Sequence, residues 1–68
     1  MSILKNLKDW IAYRLNMLDQ MELKLRRMRR IAEQFRDGKV DPKKRETLDR
    51  EFHRLKAEVD KMDKDSKN

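Results

Sequence analysis

The sequence predicts an all-α fold: an antiparallel two-helix hairpin with coiled-coil-like packing, two copies of which would associate into a four-helix bundle. Three observations carry this. Charged residues make up 47% of the chain while aromatics make up 6%, a blend dominated by Ala, Glu, Lys, Leu and Arg that marks long helices. Apolar residues recur at alternating spacings of three and four, the helical period. The single glycine and single proline, Gly38 and Pro42, fall close together near the middle, where a turn would divide two helices.

The first helix is expected over about residues 2–36. Leu4, Ile11, Leu18, Leu25 and Ala32 occupy heptad position a; Leu7, Arg14, Met21, Met28 and Phe35 occupy d. A register kept over about five heptads is that of a coiled-coil seam or bundle helix. Ile3, Trp10, Met17 and Ile31 at g and Leu15 at e widen the stripe beyond a two-partner seam. Arg14 is its one polar break. A buried guanidinium needs a carboxylate or a route to water, and either Asp63 across the hairpin or solvent would serve.

The turn spans residues 37–41. Gly38 suits the left-handed position just past a helix C-terminus. Asp41 is placed to cap the next helix, and Pro42 suits its first position, where no N–H is needed. The second helix, about 42–63, repeats the register through Leu48, Phe52, Leu55, Val59 and Met62. The tail, 64–68, is expected to fray.

Unequal helix lengths bear on function. Folded back from the turn, helix two reaches only to about residue 14 of helix one at 1.5 Å per residue. Ile3, Leu4, Leu7, Trp10, Ile11 and Leu18 are therefore the expected protein interface, since an exposed apolar end usually marks one; the alternative is an end that frays. A chain of 68 residues without cysteine has no disulfide to stabilise so small a core, and pairing with a second copy would supply what it lacks. The expected partners are a second copy, giving a dimer, or another helical protein.

Charge offers a competing binding surface. The net charge is +6, and residues 23–36 concentrate it. Lys24, Arg26, Arg27, Arg29 and Arg30 are the candidate contacts for an anionic partner, which makes a nucleic-acid-binding helical-hairpin regulator the alternative reading. The arginines spread over positions b, c, e and f, and no aromatic interleaves with them for base stacking. A solvated face or interface rim, with pairing within the helix, is the commoner reading of such a run. Trp10 and Tyr13 suit either protein packing or a lipid headgroup region; Asp9 and Asp19 weaken attachment to an anionic membrane surface.

No enzymatic constellation is present. His53 is the only histidine and is expected on the exposed side of helix two. Carboxylate pairs such as Glu46 with Asp49 or Glu58 with Asp60 lie on charged helix faces, and a hairpin offers little pocket. The expectation is no catalytic site, no cofactor, no metal and no small-molecule substrate. The opening MSILKNLKDWIAYRL holds Lys5, Lys8, Asp9 and Arg14, so no apolar run approaches the roughly 20 residues of a membrane span. The expected location is cytoplasmic.

The core of the sequence also resembles a known family. LRRMRRIAEQ, then Gly38, then RETLDREFHRLKAEVDKM is similar to the conserved N-terminal helical region of bacterial flagellins. The likeness covers about residues 18–62 and rests on Leu25, Arg27, Met28, Arg29, Ile31, Ala32 and Gln34 in the first helix. In the second it rests on Arg45, Leu48, Glu51, Phe52, Leu55, Glu58, Val59 and Asp60. The resemblance implies a structural rod segment that packs by helix–helix contacts. It implies interface roles for Arg27, Ile31, Gln34 and Glu51, in subunit contacts and in recognition by innate-immune receptors. In size and hairpin form the chain is also similar to small plasmid-borne RNA-binding regulators, an analogy of fold alone.

Overall fold

A computed structural model describes residues 3–66 and contains two helices packed against each other. Helix α1 runs Ile3–Asp37 and helix α2 runs Pro42–Ser66. Neither has an internal glycine, and no proline lies beyond the first position of α2, so nothing interrupts either ladder.

The turn forms as its residues dictate. Gly38 adopts φ +66°, the left-handed conformation in which a Cβ would be strained. Its N–H donates to the Phe35 carbonyl at 3.2 Å. The Asp41 carboxylate accepts the Lys44 backbone N–H at 2.8 Å, and the Asp41 carbonyl accepts that of Arg45 at 2.8 Å. The helix thus starts on a satisfied cap. The Arg45 guanidinium sits 5.6 Å from the centre of the Phe35 ring, a cation–π contact that ties α2 to the end of α1.

Helix α2 is longer than its apolar register indicates. It continues through Asp63, Lys64 and Asp65 to Ser66, where fraying from residue 64 is the sequence expectation; residues 67–68 lie outside the described range. Lys64 in the last turn complements the helix dipole.

The fully buried core is small and lies toward the turn. Ile31, Leu48 and Leu55 form it, with Met28, Phe35, Val40 and Phe52 packed around them. Val40 thereby closes the turn end. The rod measures 56 × 17 × 14 Å.

The face that α1 turns to α2 differs from the heptad reading. Arg14, Met17, Met21, Lys24, Arg27, Met28 and Phe35 are half-buried and Ile31 is fully buried, whereas Leu4, Ile11, Leu18, Leu25 and Ala32 are all exposed. The hairpin seam is therefore built on d and g, and the entire a column faces away. Two cross-helix ion pairs fix this rotation. Lys24 Nζ lies 2.7 Å from Glu58 Oε2, and Arg27 Nε lies 2.9 Å from Glu51 Oε1. Positions 24 and 27 are g and c, so these bonds roll the c–g–d side of α1 onto α2.

Candidate interaction surface

Two surfaces follow from that rotation. The first is an apolar stripe along the outer flank of α1. Exposure falls from 78% at Leu4 to 50% at Leu7 and 44% at Ile11, and persists at 43% at Leu18 and 49% at Leu25. They recur at steps of three, four and then seven residues, which keeps them on one helix side. Ile3, Trp10, Tyr13 and Leu15 add exposed apolar area around the N-terminal half. Midway along, Leu18, Met21 and Leu25 floor an open groove rimmed by Glu22, Arg26 and Arg29.

The reach of α2 sets where the hairpin ends. Tyr13, Asn16, Met17 and Gln20 of α1 line a shared cleft with Met62 and Asp65 of α2. Beyond that level Trp10 is 60% exposed and Ile3 83%. The interface residues expected from the sequence, Ile3, Leu4, Leu7, Trp10, Ile11 and Leu18, thus all lie exposed on α1. Leu15 and Leu25 are exposed beside them, and half-buried Met21 lines the groove. The only sign of this in the sequence is that α1 carries a wider apolar stripe than the narrow one of α2 can cover.

The second surface is basic, and the hairpin divides it. Lys24 and Arg27 are engaged across the helix interface. Arg27 donates from Nε and Nη2 to the two Glu51 oxygens at 2.9 and 3.0 Å, the bidentate geometry a planar guanidinium favours. Those bonds hold the Glu51 carboxylate below the usual range, and the bond from Lys24 does the same for Glu58. Arg26 pairs with Glu22 and Arg29 with Glu33, each one turn away on α1. Arg30 is exposed, and no ion pair is formed by it among the described residues. The outward cluster is thus Arg26, Arg29 and Arg30, with two glutamates interleaved.

Of the positions singled out by the flagellin resemblance, Ile31 is the most buried residue, Gln34 is half-buried, and Arg27 and Glu51 bind each other. His53 is exposed, edge-on to Phe52 and 3.5 Å from Asp49. Among the described residues no cluster of three or more His, Cys, Asp or Glu could hold a metal ion, and no helix is long and apolar enough to cross a membrane. No protein-family model, curated protein or solved structure matches the chain.

Proposed function

We propose that this chain is a small non-enzymatic interaction subunit that works through helix-on-helix packing and self-associates, with two hairpins and so four helices in the unit. The observation that carries the reading is the a column of α1: Leu4, Ile11, Leu18 and Leu25 are left open by the hairpin. A hairpin that, among the described residues, buries only the apolar side chains of Ile31, Leu48 and Leu55 is marginal for a domain of this length. Covering a continuous apolar stripe remedies both conditions at once. The likeness of residues 18–62 to the flagellin helical region supports the same class of role, since that family builds by helix contacts.

The test is a double variant, Trp10→Ser with Ile11→Asp. Sedimentation should report loss of assembly, while circular dichroism retains the helix signal of the turn end. An assembly of unchanged mass removes the N-terminal stripe from the interface.

A second reading, nucleic-acid binding, rests on exposed Arg30 and the net charge of +6. The inward pairing of Lys24 and Arg27, and the glutamates beside Arg26 and Arg29, favour the first. A gel shift at two salt concentrations separates them: binding that weakens steeply with salt supports the second reading, and no shift at low salt removes it.

A further inference from the structure

We propose that the occupant of the Leu18–Leu25 groove is the N-terminal overhang of a second copy, running antiparallel. This rests on the self-association proposed above and specifies its geometry. A groove and an overhang on the same helix satisfy each other within a closed pair when each copy gives its overhang to the other's groove. A two-fold axis does that and closes the assembly.

The register follows from the spacing. Leu4 and Ile11 are seven apart, as are Leu18 and Leu25. Antiparallel pairing sets Leu4 against the partner's Leu25 and Ile11 against the partner's Leu18. Lys8 then falls beside the partner's Glu22, an opposite-charge contact made twice by symmetry, and Leu15 falls on the axis. The stripe exposes on the order of 700 Å² per copy, so the pair buries about 1,400 Å², inside the range of stable interfaces.

The length of α2 fits this register independently. The pairs Lys24–Glu58 and Arg27–Glu51 place Ser66 level with Arg14, next to the same axis. The two α2 helices then lie end to end along the α1 pair. Where the two α1 helices overlap, over about residues 3–26, each cross-section holds three helices, and the partner's α2 flanks the Leu7 and Trp10 side of the overhang. Two helix C-termini converge at the axis, each with negative dipole character and with Asp63 and Asp65 nearby. Arg14, the one polar residue among the a and d positions of α1, stands at that point from each copy and supplies the opposing charge.

The chain has no cysteine, so introduced thiols report the register directly. Under mild oxidation L15C should form a covalent dimer by itself. K8C mixed with E22C should form one, while K8C alone and E22C alone should not, because antiparallel pairing holds like positions roughly 20 Å apart and a disulfide needs Cα atoms within about 7 Å. Sedimentation of each reduced variant reports assembly separately. A sedimenting dimer in which K8C links to itself is parallel and overturns the proposal. A sedimenting dimer that gives no K8C–E22C product overturns it while leaving self-association standing. A chain that stays monomeric throughout overturns both.

Discussion

Arg27 on α1 grips Glu51 on α2 with two parallel hydrogen bonds of 2.9 and 3.0 Å, one helical turn from the buried Ile31. Together with Lys24 and Glu58, this contact decides which side of α1 faces its neighbour. The same helix could roll by one position on the apolar wheel and still bury leucines. Changing Glu51 to Gln and Glu58 to Gln together should lower the thermal midpoint, and the loss should shrink in high salt, which screens half-exposed pairs. A loss of equal size in high salt would mean that the pairs act through packing rather than charge.

The same carboxylates make stability depend on pH. Their protonation is opposed in the fold because Arg27 and Lys24 bind the charged forms, so both titrate below the ordinary 4.5. A lowered folded value means the stabilisation is complete above the unfolded value and is lost as pH falls through the folded ones. Melting temperature should be level with respect to these groups above about pH 5.5 and fall below about pH 4.5. The double Gln variant should differ from the parent near neutrality and converge with it in acid; a gap that stays constant from pH 7 to pH 3 contradicts the assignment.

Ile31→Ala should be the most damaging single truncation in the hairpin, costing about 2–4 kcal/mol by chemical denaturation, because this side chain is wholly enclosed and leaves a cavity. Leu18→Ala is the control: it should barely change the helix signal at concentrations where the chain is a monomer, yet weaken assembly. Equal losses of helix signal for the two would place Leu18 inside the hairpin instead.

Gly38→Ala should destabilise by about 1 kcal/mol. No heavy atom lies within 4 Å of the Cβ that alanine would add, so the cost comes from the positive φ alone. Gly38→Asn should recover part of it, because asparagine tolerates that conformation better than alanine. A melting curve unchanged by alanine would show that the turn does not constrain φ at this position.

Much of this fold is legible in the sequence. The three–four spacing marks both helices, Gly38 and Asp41 mark their ends, and the difference in length marks an overhang. The rotation of α1 is not legible, and the reason is physical. Its apolar stripe spans positions g, d, a and e, while α2 presents a stripe about one residue wide through Leu48, Leu55 and Val59. Hydrophobic pattern alone allows α2 to sit on either edge. The choice falls to charged side chains at positions 24, 27, 51 and 58, whose pairing needs the three-dimensional register. For the same reason Lys24 and Arg27 look in sequence like part of an outward basic cluster, although the hairpin turns both inward. The end of α2 is hard to place for a different reason: past Met62 no apolar residue signals the last turn, which is carried by Lys64 and backbone hydrogen bonds.

The central claim is that the flank of α1 left open by α2 joins this chain to a second copy. Sedimentation equilibrium across a concentration series tests it most directly. A mass rising from that of the 8.4 kDa chain toward twice that value, and returning to the single-chain mass in the Trp10→Ser, Ile11→Asp variant, is the expected result. A single-chain mass at every concentration, with full helix content, contradicts it.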